Sequence, residues 1–586
     1  MSTVTVMAAL CVAAGAGPRS ATLVARPTPP TLAALEAGPA RIRPLQGHSF
    51  RFTLGGAWSP AVAATVRSTA IADPEPGMSA VGEWGYSFHH LKGGQADGAG
   101  YRHYGGYART PTTRAEAMAV VRRYYDRLRT EALARATPEQ RRCFVSISGH
   151  YCYQHYAGMW GCDVVGSEVG ENINGVQQHI AFTRGAARQF GKPWLLDFSS
   201  WFGPSILDED PERHWGDNSG PDYGHSISLH RRAYYAGWMA GASVVVAEGG
   251  TLNCFASQKP GPDGTLPLST LGRAAATFAR FARRHPDRGV PYAPVALLLP
   301  VDHGIYPGFG DKLAWNALPY TRGDQAILDA LHALFPGSSG DPAQPERADR
   351  QPLDPTWTDP DYMHTEALRM VASPHGDIAD VLLSSAPEAV LRAYPLTVLA
   401  GDYRPSAALA ARLGRYVARG GTLVLDRATL ARGVLPVATA RGLPLPPAGG
   451  FVRAARGQGA VVVMADCGPE APTASRPLSR VLARARGELI PIAVTGTLET
   501  LYNRTRDGWL VTLINNGGVR KRFREAVRVD PRATVTASLR YTGPGRVRRA
   551  VLWGEEGDRP LSASPTQVTV GPGEVRIVRL VTRDDD

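Results

Sequence analysis

The stretch CFVSISGHYCYQHYAGMWGCDVVGSEVGENINGVQQHIAFTRGAARQFGKPWLLDFSSW, residues Cys143 to Trp201, carries the pattern from which the fold is read. It holds three short apolar runs, Cys143–Ser148, Asp163–Ser167 and Pro193–Asp197, and an amphipathic stretch, Gly175–Phe190, separates the last two. Short apolar runs rich in β-branched and aromatic residues read as strands, and the longer 3.6-period stretch reads as a helix. Strands joined through helices of this length call for right-handed crossovers, which lay them parallel in one sheet.

The same alternation extends outward. Strands are expected at Ala80–Phe88 and Ser243–Ala247, and helices at Arg114–Ala134, Ile227–Met239 and Leu271–Arg284. No strand is followed by a Gly-rich dinucleotide fingerprint, so a (β/α) barrel, complete or abbreviated, is favoured over a Rossmann sheet for residues 76–290, and no cofactor is expected. Residues 1–75 are rich in Pro, Ala and Gly, with one strand-like run, Ser49–Leu54, that could supply a first barrel strand.

A second α/β unit is expected over 291–485. Its strands are PVALLLP (from Pro294), Ala379–Leu383, LTVLAG (from Leu396), GGTLVLD (from Gly420) and Gly459–Ala465, and its helices Gly323–Leu334 and Ser406–Arg419, a flavodoxin-like pattern. Over 490–586 the helical period disappears, and six short alternating runs (TLETLYN, WLVTLINN, TVTASLRY, RRAVLWG, TQVTV, EVRIVRL) predict an antiparallel β-sandwich. The fold class is therefore α/β multidomain, as 586 residues exceed what one core can organise.

Composition narrows the partners. Hydrophobic residues are 44% and charged residues 20%, the balance of a soluble globular chain. The net charge of +12 comes from arginines inside helical patterns, such as Arg122, Arg123 and Arg127, or Arg280, Arg283 and Arg284, with no interleaved stacking aromatics. That reads as solvated helix faces rather than a nucleic-acid surface. The six cysteines form no CxxC pair, which argues against a zinc knuckle; Cys152 and Cys162 could close a loop in an exported protein. The start, MSTVTVMAALCVAAGAG, is apolar without a preceding basic residue and too short to span a bilayer, so no membrane partner is expected and the compartment stays open.

In a parallel barrel the chemistry sits at the C-terminal strand ends. There stand Glu83, Glu168 with Glu171 and Asn172 just beyond it, Asp197, and Glu248, each beside an apolar run that must be buried. A carboxylate in such a place is costly unless paired, hydrogen-bonded or functional, and convergence of four on one face points to acid/base work. The loop Gly149–Gly161, with His150, Tyr151, Tyr153, His155, Tyr156 and Trp160, and Trp201 after the fourth run, would add flat apolar faces and hydrogen-bonding groups, the lining that suits an oligo- or polysaccharide. The alternative for the aromatics is inward packing as a plug between the barrel and the C-terminal domains. The positive net charge would tolerate an anionic glycan. His89, His90, His150 and His155 lack a fixed ligand spacing, so no metal is assigned, and no GxSxG elbow marks a serine hydrolase.

Several of these segments also occur in a familiar order. GKPWLLDFSSWFGPS (from Gly191), MAGASVVVAEGG (from Met239), LSTLGRAAATFARFARRH (from Leu268) and PVALLLP resemble the end of the clan A barrel of the family 42, β-galactosidase-like glycoside hydrolases. LTVLAGDYRPSAALAARLGRYVARGGTLVLD (from Leu396) is similar to that family's glutamine-amidotransferase-like domain, though no GxCxG nucleophile is present. The resemblance implies a retaining glycosidase with Asp197 in the place of the nucleophilic Glu. GEWGY, beginning at Gly82, is similar to the fourth-strand NEYG, which implies Glu83 as general acid/base; Glu168 and Glu248, which flank Asp197 on adjacent strands, are the reserve for the role of Asp197. It also implies that the second domain packs against the barrel or another subunit of a homo-oligomer. Two other readings stay open: a barrel that binds glycans without cleaving them, and a metal-dependent hydrolase on the same scaffold.

Overall fold

A computed structural model describes residues 50–73, 78–89, 107, 110–149, 152–170, 175–199, 226–305, 313–336, 370, 372–465, 477–520 and 526–582. Among the residues expected in the site, His150, Tyr151, Glu171, Asn172 and Trp201 lie outside these.

The first unit is a six-stranded, wholly parallel sheet of β1 (Arg51–Leu54), β2 (Ser79–Val81), β3 (Phe144–Ile147), β4 (Val164–Gly170), β5 (Trp194–Ser199) and β6 (Val244–Ala247). Its order is β1-β6-β5-β4-β3-β2, the cyclic sequence of a barrel with its edges at β1 and β2. Five of these strands overlap the runs expected from Ala80 to Ala247. The sixth, β1, comes from the Ser49–Leu54 run and registers Arg51 to Leu54 against Val244 to Ala247. The strand expected over Ala80–Phe88 is shorter than that. It stops at Val81, and Trp84–His89 turns into a helix (α1), because Glu83 takes a left-handed φ of 45° that a strand cannot continue through.

A two-residue period sorts the side chains of this sheet. Val145, Ile147, Val164, Leu195, Val244 and Val246 form one cluster with Met78 and Cys143. The other parity, Phe52, Leu54, Phe144, Val165, Leu196, Phe198 and Val245, packs with the helices in the main core. Those helices are α2 (Arg114–Arg135), α3 (Gln154–Met159), α4 (Val176–Phe190), α5 (Ile227–Met239) and α6 (Thr270–Arg284). Thr113, Ser226 and Ser269 cap α2, α5 and α6 by accepting N–H groups of the first turn, and Gly191 (φ 63°) ends α4.

The second sheet has the order β8-β7-β9-β10-β12-β11, from β7 (Val295–Leu299), β8 (Ala379–Leu383), β9 (Leu396–Leu399), β10 (Thr422–Asp426), β11 (Phe451–Arg456) and β12 (Gly459–Met464). All its pairs are parallel except that of β11 with β12. The first four strands thus follow the flavodoxin-like 2-1-3-4 order. It docks on α4: Arg184 donates to both Asp377 oxygens at 2.5 and 2.7 Å and to Asp380 at 2.6 Å, while Gly185 lies so close to the Val381 carbonyl that an added Cβ would meet it at 1.8 Å.

All six alternating runs near the C-terminus are strands. With Ile492–Val494, Arg559–Leu561 and Val290–Pro291 they form two antiparallel sheets, of three and six strands. Cys152 and Cys162 are separate buried thiols, not a loop-closing disulfide. No helix among the described residues is long and apolar enough to cross a membrane.

Candidate active site

The strand period places the carboxylates. Leu195 faces the inner cluster, so Asp197, two residues on, faces the same way; Val246 does the same for Glu248, and Val164 for Glu168. Asp197 sits in register between Glu168 on β4 and Val246 on β6. All three side chains are at the C-terminal ends of their strands and almost wholly buried, Asp197 at 1% exposure and the two glutamates at 5%.

Glu83 arrives by a different route. Its residue follows β2 and its carbonyl accepts the Ser87 N–H at 2.7 Å, opening α1. The left-handed backbone is accommodated by Gly149 at the end of neighbouring β3: a Cβ there would stand 3.1 Å from the Glu83 Cα. A non-glycine residue in this region costs about 1–3 kcal/mol and persists only where its surroundings hold it, a pattern that concentrates at functional sites.

Three of the four carboxyls act on one another. Burial, then the charge of Glu248, pushes Glu83 up to about 7. Burial, then Glu248 and Glu83, pushes Asp197 well above the usual carboxylate range. Glu168, the register partner of Asp197 on β4, stands beside this group. Asp197 Oδ1 has no hydrogen-bond partner among the described residues. Neither has the hydroxyl of Ser199, which is fully buried two residues further along the same face. Ser199 was not among the residues expected from the sequence, although it stands two residues beyond Asp197 at the same strand end. Among the described residues no three His, Cys, Asp or Glu side chains are placed to hold a metal ion.

The aromatic segment departs from the expected sugar platform. Part of it is α3 rather than loop, and Tyr153 and Tyr156 are fully buried. Trp160, at 6% exposure, packs against Trp84, Tyr125 and Tyr156 with ring centroids 5.8, 5.4 and 5.5 Å apart. Tyr153 and Tyr156 in turn meet Trp315 of the second unit at 5.1 and 4.7 Å. Rings engaged on several sides by other rings have no face left for a ligand. The described aromatics are the inward plug, and Trp160 is a core residue.

No family model matches the sequence, and no curated protein matches it. Solved structures similar to it include a rhamnosidase from Novosphingobium sp. PP1Y, at 11% identity over 80% of this chain and 39% of that one, TM-score 0.42. An exo-carrageenase of family 42 from Bacteroides ovatus follows at 10% identity over 80% and 56%, TM-score 0.42. A β-galactosidase from Bacillus circulans sp. alkalophilus stands at 13% identity over 79% and 67%, TM-score 0.45. The chain spans 39% of the first of these proteins and 56% of the second, and its resemblance to them is distant.

Proposed function

We propose that this chain hydrolyses glycosidic bonds, with Glu83 as general acid/base and Asp197 as nucleophile. The observation that carries the reading is the convergence of Glu83, Asp197 and Glu248 at the C-terminal end of a parallel sheet, close enough to shift one another's protonation. Glu83, held protonated near neutrality, is in the state that a general acid of glycoside cleavage requires, and Asp197 acts as nucleophile once it gives up its proton.

In the first step the Asp197 carboxylate bonds to the anomeric carbon while Glu83 gives its proton to the departing glycosidic oxygen. In the second, Glu83, now ionised, takes a proton from water. The water oxygen displaces Asp197 from the anomeric carbon, and both groups return to their starting states. The substrate would be an oligo- or polysaccharide.

Glu83→Gln should lower kcat by about 10²–10⁴-fold on a glycoside with a poor leaving group. In the unmodified chain kcat/KM should fall as pH rises through about 7, where Glu83 loses its proton. Azide should restore turnover to Asp197→Gly by supplying an external nucleophile. Undiminished turnover in Glu83→Gln would remove the acid/base assignment.

One observation favours a second reading. Among the described residues the sheet has six strands with β1 and β2 at its edges, which suits a reduced barrel that binds glycans without cleaving them. Binding without hydrolysis across a panel of glycans would establish it.

A further inference from the structure

The geometry points to a 2-amino-2-deoxy sugar, charged as its ammonium, as the substrate unit this site accepts beside Asp197. The inference deepens the hydrolase reading and rests on it for one point: the substituent on C2 is the one beside a nucleophile that approaches the anomeric carbon.

The inner face next to Asp197 is built of acceptors. Asp197 Oδ1, in a side chain 1% exposed, has no partner among the described residues, and the Ser199 hydroxyl above it has none either. Glu248 follows Val246 on the adjacent strand and so stands level with Ser199, one step nearer the mouth than Asp197. Gly170, across from Ser199 on β4, lies so close that a Cβ would meet the Ser199 carbonyl oxygen at 2.3 Å, which keeps that wall free of a side chain. Among the described residues, the charges of Glu248 and Glu83, both of its own sign, act on Asp197. An ammonium group has three donors and no acceptor, and it relieves carboxylate repulsion where a neutral hydroxyl cannot. It would also let Asp197 ionise, the state a nucleophile needs. The anionic glycan that the overall charge of +12 suggested would meet these carboxylates here.

Calorimetric titration of the full chain at pH 6 tests this without depending on turnover. Glucosamine and galactosamine should bind at least about ten-fold more tightly than glucose and galactose, the size of one partly buried charge pair. N-acetylglucosamine, which keeps the nitrogen but loses the charge, should show no such gain. In Glu248→Gln the preference should shrink to about two-fold or less. Equal or weaker binding of the amino sugars in the unmodified chain, no detectable binding of any of these sugars, or a preference undiminished in Glu248→Gln would overturn the inference. Amino-sugar preference without hydrolysis of the corresponding nitrophenyl glycosides would sink the hydrolase reading and leave this one standing. Hydrolysis of neutral glycosides alone would do the reverse.

Discussion

Glu83 combines two costs at one position, a left-handed backbone and a carboxyl pushed from 4.5 to about 7 by burial and then by Glu248. The second cost has a sign that can be followed through unfolding. With its folded value raised, Glu83 holds a proton in the folded chain that the unfolded chain releases. Its stabilising contribution is full below the unfolded value of about 4.3 and is lost as pH rises through about 7. Glutamine carries no charge at any of these values. Glu83→Gln should therefore melt at a temperature close to that of the unmodified chain at pH 5 and several degrees above it at pH 8, while losing activity. Parallel melting curves for the two proteins across this range would show that the carboxyl is not held in its raised state. The backbone cost is a separate matter, since glutamine takes the same left-handed φ, and a Tm gain at pH 8 would isolate the charge.

At the scale of elements, what was legible in the sequence was local. Short apolar runs located β3 to β6, and their C-terminal ends located Asp197, Glu168 and Glu248, because both are written in a strand's own residues. What was not legible depended on distant partners. The tyrosines of α3 are buried by Trp315, which nothing near them in the chain announces. Composition alone made that segment equally suited to a sugar wall or a plug, and only the packing of Trp84, Tyr125 and Trp315 decided for the plug. A substitution then has a definite expected outcome. Trp160→Ala should cost about 3–5 kcal/mol of stability, the range for deleting a large buried ring, with KM of the folded fraction unchanged. A raised KM at normal melting temperature would return Trp160 to the substrate wall.

Across the whole molecule, the strand ends that carry the carboxyls are held by a scaffold whose units are locked together by charge. Arg184 and Arg188 of α4 meet Asp377 and Asp380 at the second sheet, with Arg184, Asp377 and Asp380 at 3%, 7% and 0% side-chain exposure. Tyr394 adds a hydrogen bond to Asp380 at 2.7 Å. Helix α4 lies between strands β4 and β5, so the lock bears directly on the elements that present Glu168 and Asp197. Burial alone would raise Asp380, but the two arginines and the Tyr394 hydroxyl outweigh it and hold the carboxyl below its usual range. With the folded value depressed, this contribution is present above the unfolded value of about 3.9 and is lost as pH falls through the lower folded one. Asp380→Asn leaves two guanidinium groups facing an amide in a buried interface, where removing one partner of an ion pair costs about 3–5 kcal/mol. That deficit should be measured in full by denaturant unfolding at pH 7, should narrow as pH falls below the unfolded value of about 4, and is lost only as pH falls through the lower folded one. A deficit under about 1 kcal/mol at pH 7 would place the pair among the surface ion pairs that contribute little, and the docking of the two units would then rest on the close backbone approach at Gly185 instead.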